Sequence, residues 1–157
     1  MSRHEARDLA FKILFQADVG KNPWQEVLPR TIRENSLPES SQAFLTELVK
    51  GTIKNLGAID AEIVKYAQDW KLERMANTDR NILRIAIYEL KFSAAKTPVS
   101  VTVNEAVELA KTYGDQDSGK FVNGILGNLA RNLAAASAPP AEPAPAPAAD
   151  SKSDEES

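Results

Sequence analysis

Between Asn77 and Lys91 the chain reads NTDRNILRIAIYELK, and this stretch narrows the possible folds more than any other. Ile82, Leu83, Ile85, Ala86, Ile87 and Leu90 would cover most of a helix, leaving Asn81, Arg84, Tyr88 and Lys91 as one narrow polar stripe. A helix apolar over that much of its circumference is stable in water only when other helices surround it. Asn77 or Thr78 starts it. The rest of the chain must therefore supply helices with one apolar face each.

It does so on both sides. Ser2 and Glu5 form a capping box, after which Ala6, Leu9, Ala10, Ile13, Leu14 and Ala17 recur at helical spacing. Asn22 and Pro23 open a short helix with Trp24, Val27, Leu28 and Ile32 inside, which Pro29 is expected to kink or break. Residues Asn35 to Ser41 have loop composition. From Ser41 a long helix carries Phe44, Leu45, Leu48, Val49, Ile53 and Leu56, with Gly57 as an end or bend. Ile59, Ile63, Val64 and Ala67 make a further helix leading to Trp70, and Leu72 and Met75 sit in a short helical turn.

After the breakers Lys96, Thr97 and Pro98, the residues Val99, Val101 and Val103 alternate with polar ones, as in an extended lead-in. No partner strand is visible. Thr102 with Glu105 forms a capping box for a helix burying Val103, Ala106, Val107 and Ala110. Gly114 is a natural stop in the left-handed conformation. Asp115 to Gly119 turn, and Asp117 or Ser118 caps a last helix burying Val122, Ile125 or Leu126, Leu129 and Leu133. The expectation is an all-α, compact single-domain bundle of about seven helices, in two helical halves.

Beyond Leu133 the composition changes to alanine, serine, acids and five of the nine prolines, with no large apolar residue. Such a segment cannot bury enough surface to offset its ordering entropy. The domain is expected over 1–133 and a disordered tail over 134–157. A solvating role for this tail comes before any tuning of RNA affinity by charge repulsion. The tail also distorts the overall charge of −3, because residues 1–136 carry 18 basic and 17 acidic side chains. A neutral body lacks the broad basic surface of a nonspecific nucleic-acid binder, so any RNA site must be local.

Marks of catalysis are missing. One histidine and no cysteine are too few for an ordinary zinc site, and no phosphate loop, dinucleotide fingerprint or nucleophile elbow occurs. No cofactor is implied. No apolar run reaches the length of a membrane span, no secretory leader opens the chain, and a cytoplasmic protein is the expectation. Two local features instead point to binding. Basic Arg3, His4, Arg7 and Lys12 lie beside Phe11 and Phe15, a combination able to grip phosphates and stack a base, or else a solvated face beside a widened core. In DSGKF, Lys120, Phe121 and the free amides of a helix N-terminus meet at one edge, which suits a phosphate and a base. Gly124 and Gly127 lie inside the same helix, each costing roughly 1 kcal/mol against alanine, either for a tight helix crossing or for a ligand.

The strings ARDLAFKILFQ, LERMANTDRNILRIAIYEL and NEAVELAKTYGDQDSGKFVNGIL, in order from about Arg3 to Leu133, resemble the bacterial NusB family of transcription antitermination factors. The resemblance implies a protein that binds boxA-type single-stranded RNA in nascent ribosomal RNA leaders together with the small-subunit ribosomal protein NusE. The pair would assemble an antitermination complex on RNA polymerase. With the resemblance, Arg3, Arg7 and Lys120 are expected on phosphates, Phe15 and Phe121 on bases and Asp117 on a polar base or sugar contact, with His4, Lys12 and Ser118 also in the RNA site. A NusE-binding surface would lie around Glu73, Asp79, Arg80 and Val99. Family members open with an arginine-rich segment that contacts RNA, and this chain is thinner there, with Glu5 interrupting the basic cluster and no phenolic hydroxyl on Phe15. Two alternatives accompany this one: a protein–protein adaptor without RNA binding, and the similar RNA-binding domain of a ribosomal RNA cytosine methyltransferase, which needs an α/β domain downstream. A homodimer that hides the RNA surface is a further possibility.

Overall fold

The computed structural model describes residues 3–68, 71–94 and 97–137, and all regular structure within them is helical. The helices are α1 (Arg3–Val19), α2 (Trp24–Glu34), α3 (Glu39–Lys54), α4 (Leu56–Ala67), α5 (Asn77–Ile87), α6 (Val99–Tyr113) and α7 (Ser118–Ser137). A single 3-10 turn, Leu72–Arg74, precedes α5, and a turn of π-helix, Tyr88–Phe92, continues it. The helices α1 to α3 pack on one another, α4 to α7 pack on one another, and α5 touches both sets. The expected two halves therefore meet on the helix that is apolar almost all round, with Ile82, Leu83 and Ile87 at its buried centre.

The polar stripe of α5 is itself largely inside. Arg84 donates from Nε and Nη2 to the two carboxylate oxygens of Asp60 at 2.8 and 2.9 Å. Asn81 donates to Asp18 at 3.0 Å, and the Tyr88 hydroxyl to Glu47 at 2.8 Å. Lys91 pairs with Glu62 at 3.2 Å. Each polar side chain of the stripe thus meets a carboxylate from α1, α3 or α4, which fixes the angular position of α5 in the bundle. Burial pushes the Asp18 carboxyl up, but hydrogen bonds from Arg80 and Asn81 and the charges of Arg80 and Arg84 outweigh it and hold the group below the ordinary range. Burial, then the bond to Glu47, raises the Tyr88 phenol to about 12.

Several element boundaries differ from the sequence expectation. Pro29 does not break α2, which runs through it to Glu34; it and Gln25, whose carbonyl loses its donor, both lie on the exposed side. The bend between α3 and α4 falls at Asn55, whose side-chain amide donates to the Gly51 carbonyl at 2.8 Å, and Gly57 lies in the first turn of α4. The valine alternation is not extended. Pro98 at the N-cap accepts from the amides of Val101 and Thr102 at 3.0 and 3.2 Å, so α6 begins at Val99 and Thr102 is buried within it. Gly114 is extended (φ −94°, ψ −170°) rather than left-handed; glycine is needed there because a Cβ would stand 2.3 Å from Ser118 Oγ. Residues Ala134 to Ser137, assigned to the tail, form the last turn of α7. Ser2 with its capping box, Trp70, Lys96 and residues 138–157 lie outside the described residues.

The glycines separate into two kinds. Gly51 was not singled out by the sequence, yet a Cβ there would lie 2.3 Å from the Tyr88 ring. A Cβ on Gly124 would meet no atom within 4 Å, and one on Gly127 would meet only the Arg131 guanidinium at 3.6 Å, so the expected tight helix crossing is absent. Urea denaturation should therefore show opposite signs. Gly51→Ala is expected to destabilise by roughly 1–3 kcal/mol through overpacking. Gly124→Ala should stabilise by about 1 kcal/mol through helix propensity.

Candidate nucleic-acid interface

The basic residues of α1 are in the positions expected of them, but most have partners. Arg3 is exposed and its guanidinium stacks 4.2 Å from the centre of the Phe44 ring. His4 pairs with Glu105 of α6 at 2.6 Å, and that bond and the carboxylate charge raise the imidazole pKa. Lys12 pairs with Asp8 at 3.1 Å and sits 5.8 Å above the Tyr113 ring. Its ammonium is held charged above the ordinary lysine range, first by the bond to Asp8 and then by Tyr113.

Arg7 departs from expectation. It is 4% exposed and makes two bonds of 2.8 Å from Nε and Nη2 to the carboxylate of Glu89, which is equally buried. Glu105 lies 3.8 Å away. The π-helical turn after α5 places Glu89 opposite α1, so Arg7 holds the two halves together through an internal ion pair. The aromatic pair also divides, because Phe11 is buried and stacks at 5.0 Å on Tyr113 while Phe15 is half-buried, 5.7 Å from Phe11.

Tyr113 was missed as a site residue. It ends α6, its hydroxyl donates to Asp8 of α1 at 2.5 Å, and it immediately precedes the GDQDSGKF turn. It therefore links the basic side of α1 to the start of α7. The signal was available in KTYGD, an aromatic ring next to a glycine and an acid, but nothing in spacing told it from a core position.

The turn is built by Asp115. Its Oδ1 accepts from the Asp117 amide at 2.9 Å and from the Ser118 hydroxyl at 3.3 Å, while Ser118 Oγ accepts from the Asp115 amide at 3.1 Å. Asp117 holds the N-cap position, its carbonyl accepting from the Phe121 amide at 3.0 Å. Ser118, expected on RNA, is 2% exposed and belongs to this internal network, as the close approach over Gly114 requires. Asp117 and Lys120 are exposed, and Phe121 is half-buried against the core.

Next to this turn is a cavity of about 330 Å³, walled by Arg74, Met75, Ala76 and Asp79 on one side and by Asp115, Asp117 and Phe121 on the other. Asp79 is 8% exposed, and its Oδ1 is buried without a hydrogen-bond partner. Burial, and then the charge of Asp115, push its carboxyl pKa up, against a bond from Ser118. Of the other residues expected at a partner surface, Glu73 and Val99 are exposed. Arg80 is half-buried and occupied, donating to Asp18 at 2.7 Å, to the Leu72 carbonyl at 3.2 Å and to Asn77. Among the described residues no group of three His, Cys, Asp or Glu side chains could hold a metal ion, and no helix is long and apolar enough to cross a membrane.

Comparison with known proteins places this geometry among relatives. The sequence model of the NusB family matches residues 4–131. The chain is 49% identical over 129 residues to the transcription antitermination protein NusB of Pelotomaculum thermopropionicum, covering 82% of this chain and 89% of that protein. It is 46% identical over 133 residues to the NusB protein of Heliobacterium modesticaldum, where the match spans 85% of this chain but 64% of the relative. Among solved structures, T. maritima NusB superposes with a TM-score of 0.78 at 37% identity, over 83% of this chain and 92% of that one. A crystal structure of the antitermination factors NusB and NusE in complex with double-stranded RNA superposes with a TM-score of 0.74 at 29% identity, over 84% and 99% of the two chains.

Proposed function

This chain belongs to the NusB family of transcription antitermination proteins, and from that premise we propose that it binds boxA-type RNA together with NusE. The pair would nucleate an antitermination complex on RNA polymerase. The observation that carries the reading is the link Tyr113 makes to α1, through its bond to Asp8 and the Lys12 ammonium over its ring, at the end of the helix that leads into DSGKF. Arg3, Lys12 and Lys120 supply phosphate contacts, with His4 adding charge when protonated. Phe121 and the accessible side of Phe15 carry bases, and Asp117 meets a base or sugar. NusE meets the surface marked by Glu73 and Val99, at whose edge Asp79 and Arg80 lie. The activity is association, with no chemical step.

The adaptor reading draws on a specific observation: Arg7 is buried and His4 and Lys12 are ion-paired, so few free cations remain on α1. Fluorescence anisotropy separates the two. A labelled boxA RNA and a scrambled RNA are titrated with the protein alone and with NusE present. Preferential binding of boxA, tightened by NusE, is the expected result. NusE binding without measurable affinity for either RNA would leave the adaptor reading standing. A homodimer that covers the RNA surface would show as RNA affinity that falls as protein self-associates.

A further inference from the structure

Well along α7 from the DSGKF turn, the helix meets the end of α4 at a surface pocket of about 290 Å³. Lys65, Tyr66 and Gln68 line it from one side and Asn128, Arg131 and Asn132 from the other. The bonds among these side chains use up acceptors. Arg131 donates to the Asn128 side-chain carbonyl, and Asn132 donates to the Tyr66 hydroxyl at 2.7 Å. Donors are what remain: the Lys65 ammonium, 5.3 Å from the centre of the Tyr66 ring, the other N–H groups of Arg131, the Asn128 amide and the Tyr66 hydroxyl hydrogen. Among the described residues no carboxylate lines the pocket or pairs with either cation. The C-terminal end of α4 opposes an anion by only about half a charge, which two cations outweigh. Such a lining suits an oxyanion, and an arginine fork suits a phosphate in particular.

The face of α7 that leads to this pocket is bare. Lys120, Gly124, Gly127 and Arg131 follow one another at intervals of four, three and four residues, so they lie on one face. From first to last they span about 16 Å at a helical rise of about 1.5 Å per residue. Neither glycine serves packing: a Cβ at Gly124 would meet nothing within 4 Å, and one at Gly127 only the Arg131 guanidinium. Glycine weakens a helix interior, and its use where no neighbour in the chain approaches suits a close approach from outside it. We infer that the RNA strand held at Lys120 and Phe121 continues along this face, close against Gly124 and Gly127, and that Lys65 and Arg131 grip a phosphate at the far end. The inference rests on the RNA-binding reading above and adds to it a second anchor. A free phosphate would use the pocket alone, and the bare helix face between the pocket and Lys120 favours a strand.

The test compares a minimal boxA RNA with RNAs a few nucleotides longer at the 5′ or the 3′ end, by anisotropy with NusE present. One of the longer RNAs is expected to bind wild type about tenfold tighter than the minimal one, through charge-assisted contacts to one more phosphate. Arg131→Ala and Lys65→Ala should each weaken that RNA roughly three- to tenfold and leave the minimal RNA unchanged. Each should also flatten the longer RNA's dependence of log affinity on log salt by about 0.7. Gly124→Leu should bring the longer RNA down to the affinity of the minimal one while melting no lower than wild type. Leucine favours a helix over glycine, and its side chain enters open space there. Loss of affinity and stability together would mark Gly124 as structural and refute the track. If neither extension gains affinity while minimal boxA RNA binds, the strand does not follow α7, and the proposal falls with the RNA reading intact. Arg131→Ala weakening both RNAs equally, or Gly124→Leu binding the longer RNA like wild type, refutes it too. Should Lys65→Ala and Arg131→Ala weaken NusE binding and leave both RNAs unchanged, the pocket belongs to the protein partner and the proposal is overturned. If no RNA binds wild type at all, the RNA reading itself fails.

Discussion

Replacing Arg7 with alanine is expected to destabilise the fold by about 3–5 kcal/mol, the usual cost of stranding one member of a buried ion pair. Arg7 and Glu89 are each 4% exposed at the side chain and joined by two bonds of 2.8 Å. The guanidinium also lies 5.3 Å from the centre of the Phe44 ring. Burial alone would lower its pKa, but bonding to Glu89 and the charges of Glu89 and Glu105 outweigh that and raise it, so Arg7 stays charged. Without Arg7, the Glu89 carboxyl is left buried between the two halves of the bundle without its partner. The double variant Arg7→Met, Glu89→Leu removes both charges and should recover most of the loss, since well-packed apolar replacements of such pairs are often neutral. Urea denaturation of the two variants and wild type checks this. A loss below about 1 kcal/mol for Arg7→Ala, accompanied by weaker RNA binding, would return Arg7 to the phosphate contacts and remove it from the core.

The second large effect is expected on RNA affinity. Phe121→Ala should weaken binding by about 1–3 kcal/mol, roughly five- to 150-fold, the range for loss of one base–aromatic stack. Phe121 packs partly against the core, so its truncation also costs stability. Phe121→Leu keeps the apolar volume and loses the π-face, and it should lower affinity while melting close to wild type. Lys120→Ala, on an exposed site, should weaken all RNAs alike and flatten the dependence of log affinity on log salt by about 0.7, one phosphate on a single strand. Anisotropy titrations at several salt concentrations distinguish the two roles. Phe121→Leu binding as tightly as wild type would mean that the ring stacks no base.

Much of this protein was legible before any coordinates. Period-3.6 patterning located the seven α-helices of the described residues, because each must bury one face and that requirement is written locally, residue by residue. The crowded apolar face around Ile82 to Leu90 dictated a central helix, and α5 is that helix. The strings around Leu72–Leu90 and Asn104–Leu126 were enough to indicate the family. Boundaries were less legible wherever two local signals competed. At Val99 to Val103 the valine alternation argued for an extended segment, and the carbonyl of Pro98 overrode it. At Ala134 to Ser137 composition argued for a tail, and alanine's helix propensity carried α7 onward.

Only the tertiary structure decided which polar residues were surface and which were interior. Arg3 and Arg7 look alike in sequence, one turn apart on one helix, yet Arg3 is exposed and Arg7 is buried because the π-helical turn brings Glu89 across to it. Ser118 and Lys120 are two residues apart, and the extended Gly114 draws the first into the Asp115 network and leaves the second in solvent. Asp79 and Phe121 come together only because α5 and α7 pack side by side. The chain by itself determined the helices and their apolar faces, since periodicity is a property of neighbours in sequence. Lys12 finds Asp8 one turn away, but the availability of Arg7 and His4 for RNA is set by Glu89 at 82 residues and Glu105 at 101, and no local pattern encodes such distances.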